Sequence, residues 1–140
     1  MKIREIQEQL KDLLNGVEAL VQGGCKAFAE DTRTVYDEAN QWIAGGKVAI
    51  VVTTPRLQRN GDRSGALPME TTLAIRCLEI APLAGEDPTV LRALDAAEIV
   101  AHSLDGAQFC LVSIEQSADD RTKTITASAS FNTTINLTND

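Results

Sequence analysis

The side chains best suited to catalysis or metal binding are few and scattered in this sequence. There is one histidine, His102, and the three cysteines, Cys25, Cys77 and Cys110, form no CxxC pair. A nucleophilic site needs a base held beside the nucleophile, and a zinc site needs a recognisable set of ligands. The local sequence supports neither, although a Cys–His pair formed only in the folded chain remains an open alternative. We therefore expect no enzymatic activity, no metal and no cofactor, and we expect the cysteines to be reduced core thiols of a cytosolic protein.

Acidic residues and His102 give no stronger indication of chemistry. Asp119 and Asp120 are typical of a solvated hairpin turn, which explains them better than a cation site does. Glu70, Glu79 and Glu115 are single acids on predicted strands, with no evident pairing partner. His102 lies beside the apolar line of a predicted helix, which favours a surface or half-buried structural role over a catalytic one. No glycine-rich phosphate loop follows any predicted strand.

Three arginines lie close together in a chain whose net charge is −7. Arg56, Arg59 and Arg63 belong to residues 54–68, a polar segment with two prolines and two glycines that predicts a long loop. Guanidinium groups make multidentate contacts to carboxylates, so these arginines are candidates for a partner interface. The alternative is a solvated loop without a partner. The negative net charge argues against nucleic acid and anionic membranes as partners.

Residues 121–137 have the most regular pattern in the chain. From Ile125 to Leu137 the odd positions are apolar except for a threonine, and the even positions are uncharged and polar. Successive side chains of a β-strand point to opposite faces, so this pattern predicts a strand with one apolar and one polar face. At about 3.3 Å per residue the strand would be roughly 40 Å long, so it should bend at a bulge or project beyond the domain.

The polar face of this strand supplies the remaining candidates for a partner interface. Its residues include Thr126, Ser128, Ser130 and Asn132. Exposed strand edges are often protected by charged side chains, and this strand carries none after Lys123. One interpretation is an antiparallel sheet with a solvated Thr/Ser face; the other is an assembly contact or a sheet-extending edge.

The rest of the chain predicts the helices and strands that position these residues. Residues 48–52 form a short run of apolar residues, which predicts a central strand buried on both faces. The other predicted elements are helix 2–21 with an early stop at Asn15 and Gly16, strand 25–30, a helix from Asp31 or Thr32 to residue 44, strand 69–80, helix 88–104 started by Asp87 and Pro88, strand 109–115 and turn 116–120. This order predicts one α+β domain over residues 1–140, with a mixed or mainly antiparallel sheet of about four strands and helices packed on one face.

The N-terminal segment and the apolar runs bear on localisation. The segment MKIREIQEQL has no apolar signal core, so we expect no export by that route. No apolar run approaches the ~20 residues of a membrane span, so we expect no membrane partner.

The order of elements resembles a known family. The chain opens with the amphipathic helix MKIREIQEQLKDLL, continues through the strand VAIVV, a long loop and the strand LAIRCLEI, and ends with VLRALDAAEIVAHSL, FCLVSIEQ and ITASASFNTTINL. This order resembles the tail terminator (tail completion) proteins of tailed bacteriophages and the related minor tail proteins of Mu-like prophages. The resemblance covers nearly the whole chain. It rests on element order and on the ending of helix, Leu-Asp-Gly, strand, acidic turn and F-x-T strand, without an invariant motif.

The resemblance implies a structural protein of the virion rather than an enzyme. Such subunits form a ring, typically a hexamer, that caps the finished tail tube and then joins it to the head. The implied partners are other copies of the chain, the tail-tube protein and a head-completion protein, first in the bacterial host cytoplasm and then in the virion tail. Residues 54–68 would face the tube or a neighbouring subunit, and residues 121–137 would form a sheet-extending edge. The alternatives are a cytosolic protein–protein interaction module outside any phage and, less favoured, a Cys–His enzyme centred on His102.

Overall fold

A computed structural model describes residues 3–30, 34–59, 67–81, 89–106 and 108–137 of the 140-residue chain. Its elements in chain order are α1 Ile3–Asn15, α2 Glu18–Gln22, β1 Cys25–Ala29, α3 Val35–Ala44, β2 Val48–Val52, β3 Arg56–Arg59, β4 Leu67–Ile80, α4 Ala93–Leu104, β5 Cys110–Asp119 and β6 Thr124–Leu137. The predicted stop of the first helix at Asn15 and Gly16 is confirmed, because α1 ends at Asn15 and α2 starts at Glu18.

The strands form one six-stranded sheet in the order β1-β2-β4-β6-β5, with β3 also paired to β4. β1 and β2 are parallel, and the other pairs are antiparallel. The predicted α+β class with a mixed sheet is therefore confirmed. The predicted count of about four strands is too low, because the short segment 25–29 does form a strand and because Arg56–Arg59 form β3 inside the predicted loop.

The main core lies between one face of the sheet and the helices α1, α2 and α4. Residues 127, 129 and 131 of β6 point into it, as the alternation predicts, and Phe131 is fully buried. Burial of a phenylalanine side chain contributes about 2–3 kcal/mol to folding. The neighbouring strand β4 buries Leu73, Ile75 and Cys77 on the same face.

A second, smaller core lies on the opposite face, where α3 packs on β1 and β2. Val35, Ala39 and Ile43 of α3 contact Ala49 and Val51 of β2. The prediction that helices pack on one face is therefore wrong for α3. The physical reason is the continuous apolar sequence of β2, whose residues are buried on both faces and need a cover on each.

The start of α4 is set by a carboxylate from another strand. Glu79 of β4 is buried and accepts hydrogen bonds from the Ala93 N–H at 3.2 Å and from Nε and Nη2 of Arg92 at 3.0–3.1 Å. A helix N-terminus needs acceptors for its free N–H groups, and Glu79 supplies one. The helix therefore begins at Ala93 instead of residue 88, and the expectation that Glu79 has no partner was wrong. Asp87 and Pro88 lie outside the described residues.

The β5–β6 hairpin is longer than the sequence predicts. β5 continues to Asp119, and the turn occupies residues 120–123, where Lys123 adopts a positive φ of 58°. The predicted turn at 116–120 is wrong because Gln116, Ser117 and Ala118 pair with residues of β6. A register shift between Leu111 and Ser113 marks a bulge in β5.

The long strand β6 projects beyond its neighbour β5. β6 pairs with β4 along its whole length, but its pairing with β5 ends at Asn132. Residues 133–137 therefore extend past β5 together with the first residues of β4, which also pair with β3.

Candidate protein–protein interface

The polar residues of β6 lie on the sheet face opposite α1, α2 and α4, which we call the open face. Thr126, Ser128 and Ser130 are half-buried and Asn132 is exposed. β6 lies between β4 and β5, so the interpretation of residues 121–137 as a sheet-extending edge is wrong for residues 124–132. The structure instead gives a sheet with one solvated face, which the sequence offered as the alternative.

Charged side chains flank the uncharged centre of the open face. Ser128 is opposite Arg76 on β4 and opposite Glu115 on β5, and both charged residues are exposed. Because neighbouring strands are about 4.8 Å apart, these three residues form one row across the sheet. Sequence reasoning missed Arg76 and Glu115 as interface candidates. The available signal was the alternation of Arg76 with the buried Ile75 and Cys77.

The three predicted interface arginines are not equivalent in the structure. Arg56 is exposed on β3 and pairs with Thr72, which in turn pairs with Asn132, so one row contains two of the predicted candidates. Arg59 also lies on β3, at the register position opposite Met69. It is three residues after Arg56, so it does not belong to the set of alternate positions that includes Arg56. The predicted loop is therefore wrong for residues 56–59. Arg63 lies outside the described residues.

A polar cluster marks the border between α3 and the open face. The Glu30 carboxylate accepts hydrogen bonds from the Tyr36 hydroxyl and from the Thr54 N–H. Burial acts to raise the pKa of Glu30, but these hydrogen bonds and the charge of Arg76 outweigh it and hold the pKa below its ordinary value. Burial and the Glu30 carboxylate raise the pKa of Tyr36 to about 12. The cluster ties the end of β1 to the chain just after β2.

The thiols and the histidine were the candidates for a Cys–His site. Burial raises the pKa of Cys25 to about 12 and raises that of Cys77 further, so both remain protonated at neutral pH. Cys110 is exposed at the start of β5, so the prediction of a core thiol is wrong for this cysteine. His102 is exposed and lines a groove of about 360 Å³ between α4 and β5, with Glu98, Ala101, Asp105, Leu111 and Ile114.

Two negative findings apply to the described residues alone. They contain no group of three or more His, Cys, Asp or Glu side chains arranged to hold a metal ion. None of their helices is long and apolar enough to cross a membrane.

The outer edge of β1 is closed by a side chain from α1. The Asn15 amide accepts a hydrogen bond from the Ala27 N–H at 2.9 Å and donates one to the Ala27 carbonyl at 3.1 Å. Nearby, the buried Gln7 amide donates to the carbonyls of Glu30 and Val52. The backbone at the centre of β1 is therefore already satisfied within the subunit.

No described residue outside β6 pairs with β5 over most of its length, so its outer edge is open there. Asp105 accepts a hydrogen bond from the Leu111 N–H at 3.0 Å, at the start of the strand. In the described part of the chain, residues 113–119 pair only with β6. Val112, in the bulge, is 57% exposed, and residues 115–119 are exposed throughout. An unpaired edge of this kind is a template for another strand.

The comparisons with known proteins concern this fold as a whole. No protein-family model matches the chain, and no curated protein matches it. Nine chains of solved structures match it. One is a chain from the virion of a native gene transfer agent (GTA) particle, with a TM-score of 0.64 and 13% sequence identity. The match covers 96% of this chain and 98% of that chain, so the two share a fold over nearly their full lengths.

Proposed function

We propose that this protein is a structural component of a phage or prophage tail, which assembles into a ring that completes the tail tube and joins it to the head. The observation that carries the proposal is the shared fold with a chain of a gene transfer agent virion, a phage-like particle, over 96% and 98% of the two chains. A fold does not assign a function by itself. The tail role comes from the element order that resembles tail terminator proteins.

The surfaces of the subunit support a role in assembly. The open face offers hydroxyl and amide groups in its centre, with Arg56, Arg76 and Glu115 around them. Such a surface forms hydrogen bonds with a partner without the cost of removing many charges from water. The proposed partners are other copies of the chain, the tail-tube protein and a head-completion protein, in the host cytoplasm during assembly and then in the virion tail. The role requires no catalysis.

Negative-stain electron microscopy of the purified protein, alone and with its tail tube, tests this function. We expect rings, and we expect a ring at the end of each tube. Asn132→Lys places a charge in the open face and should reduce tube binding, whereas Asn40→Lys on the exposed surface of α3 should not. A protein that stays monomeric and never binds tube protein would rule out the tail function.

A second candidate function is a cytosolic interaction module unrelated to phages. The open edge of β5 beside the groove along α4 favours it, because edge strands next to helices bind extended peptides by strand addition. Affinity purification from the native host distinguishes the two. A stable one-to-one complex with a host protein, without rings, would support the module. Tail-tube and head-joining genes on either side of this gene would support the tail protein.

A further inference from the structure

In the part of the chain that the structure describes, two strands on opposite sides of the sheet have edges available for pairing. Among the described residues, β3 pairs only with β4, and residues 113–119 of β5 pair only with β6. β3 follows β2 along one side of β4, whereas β5 is the outermost strand on the other side. The subunit therefore has one strand on each side that can accept a strand from outside.

The charges of these two strands are complementary. β3 has the sequence RLQR, with two arginines and no acid, and β5 has the sequence CLVSIEQSAD, with two acids and no base. Arg56 and Glu115 are both exposed and both lie on rows of the open face. Opposite charges on adjacent strands attract and like charges repel. A β3–β5 contact is therefore favoured, whereas a β5–β5 contact would bring acids together.

The strand directions and the two faces also agree. β3 is antiparallel to β4, β4 to β6 and β6 to β5, so β3 runs antiparallel to β5. In a neighbouring copy displaced along the strand direction, so that Arg56, which is level with Thr72, reaches the level of Arg76 and Glu115, β3 would meet β5 in the antiparallel sense. The open faces of the two copies would be continuous, with Arg56 and Glu115 on the same side. Leu57, which is half-buried, would then lie on the side of the α4 groove, near Leu111 and Ile114.

We propose that β3 of one copy pairs in the antiparallel sense with residues 113–119 of the next copy, and that this contact joins copies head to tail. The inference rests on the proposed function and names the contact through which the ring closes. A head-to-tail contact uses two different surfaces, so it repeats until the rotation closes a ring. A β5–β5 contact would use the same surface twice and would stop at a dimer.

Thiol cross-linking tests the contact, because Cys110 is an exposed thiol on β5 and Cys25 and Cys77 are buried. Gln58→Cys adds a thiol on β3. With a short bismaleimide, the assembled Gln58→Cys protein should give a ladder of dimers, trimers and higher multimers. The wild-type protein should give no ladder, and Gln58→Cys with Cys110→Ser should lose it. Asn40→Cys, on α3, is the matched control and should give no ladder. Circular dichroism and thermal melting verify that each variant is folded.

The possible outcomes separate this contact from the proposed function. Rings seen by microscopy without a Gln58→Cys ladder would overturn the β3–β5 contact and leave the tail function intact. Wild-type cross-linking that stops at a dimer would indicate a β5–β5 contact and would overturn the β3–β5 contact. A ladder from Asn40→Cys equal to that from Gln58→Cys would overturn it as well. Monomers under every condition, with or without tube, would overturn both proposals.

Charge reversal gives an independent test of the contact, in variants that keep the native cysteines. Arg56→Glu and Glu115→Arg should each weaken self-association about tenfold, because each places like charges on adjacent strands. The double variant should recover association to within about threefold of the wild type, because the pair is restored with its charges exchanged. Analytical ultracentrifugation measures the association. A double variant no stronger than either single variant would overturn the contact.

Discussion

The two outer strands of the sheet, β1 and β5, have similar surroundings but differently treated edges. Each lies beside a groove of about 360 Å³, formed with α1 and α3 at β1 and with α4 at β5. At β1, the Asn15 side chain hydrogen-bonds both backbone groups of Ala27. At β5, the Asp105 carboxylate accepts a hydrogen bond from the Leu111 N–H, and residues 113–119 have strand pairing on one side in the described part of the chain.

This difference shows that the fold can protect an edge without another strand. Proteins commonly cover or charge their edges to prevent unwanted pairing. Here the Asn15 amide on α1 makes the two hydrogen bonds that a paired strand would make to Ala27, so the centre of that edge is satisfied within one subunit. The asymmetry leaves β5 available and gives the subunit a direction, which a head-to-tail assembly needs.

The largest effect on the unfolding free energy is expected at the N-terminus of α4, the helix that packs beside β5. Arg92→Ala removes the cation that pairs with the buried Glu79 carboxylate. Of the donors contributed by residues 92 and 93, only the Ala93 N–H would remain. An uncompensated buried charge is strongly unfavourable, so the variant should lose about 3 kcal/mol of unfolding free energy. Urea denaturation at neutral pH measures the loss.

The control for that change is an arginine on the turn beside β5. Arg121 is exposed, and Arg121→Ala should change the unfolding free energy by less than about 0.5 kcal/mol. If Arg92→Ala were as mild as Arg121→Ala, Glu79 would not depend on its partner, and the N-terminus of α4 would be held by packing alone.

A smaller loss is expected when the closed edge of β1 is opened. Asn15→Ala leaves the Ala27 N–H and carbonyl without their side-chain partner, and Ala27 is buried. Unsatisfied buried backbone groups are costly, so we expect a loss of about 2 kcal/mol. Asn40→Ala, on the exposed surface of α3, is the matched control and should cost little. Hydrogen exchange should become faster at Ala27 in the Asn15 variant, and an unchanged rate there would contradict the clamp.

These contrasts also show how much the sequence could predict. The alternation in residues 125–137 was sufficient to place Ala127, Ala129 and Phe131 in the core, because side-chain direction in a strand follows from position alone. The same pattern could not place β6 between β4 and β5, because strand order depends on contacts between distant segments.

The missed elements have the same physical cause. β3 has no apolar alternation, and its pairing with β4 is what makes it a strand. The first residue of α4 depends on Glu79, fourteen residues earlier than Ala93, and a local capping pattern cannot show it. For the candidate interface, the sequence identified Ser128 and Arg56 by type, but the rows that join them to Glu115 and Asn132 required the register.

A still smaller effect is expected at the end of β1, and it depends on pH. Tyr36→Phe removes the hydroxyl that donates to Glu30. The pKa of Glu30 is lowered by folding, so this interaction stabilises the protein above the unfolded pKa of Glu30 and is lost as the pH falls through its folded pKa. The pKa of Tyr36 is raised from 10.0 to about 12, so its contribution is complete below pH 10.0 and is lost as the pH rises through about 12.

The measurable consequence is a stability difference confined to intermediate pH. Because Tyr36 is partly exposed, solvent screens the interaction, and the difference from wild type should be below about 1 kcal/mol at pH 7. Denaturation at pH 7 and pH 3 measures it, and the difference between Tyr36→Phe and the wild type should be smaller at pH 3, because Glu30 becomes protonated as the pH falls. An equal difference at both pH values would show that Tyr36 acts by packing.

The smallest stability effect, and the sharpest contrast with Asn15, is expected on the open edge itself. Ser117 is exposed on β5, so Ser117→Lys should change the unfolding free energy by less than about 0.5 kcal/mol. Lysines on edge strands discourage strand addition, and this one would also lie on the same face as Arg56 of a neighbouring copy. The variant should therefore remain a folded monomer where the wild type associates, as light scattering and thermal melting can show. The two edges thus predict opposite outcomes: Asn15→Ala costs stability, whereas Ser117→Lys costs only assembly. A Ser117→Lys protein that assembles normally would mean that β5 is not part of the contact.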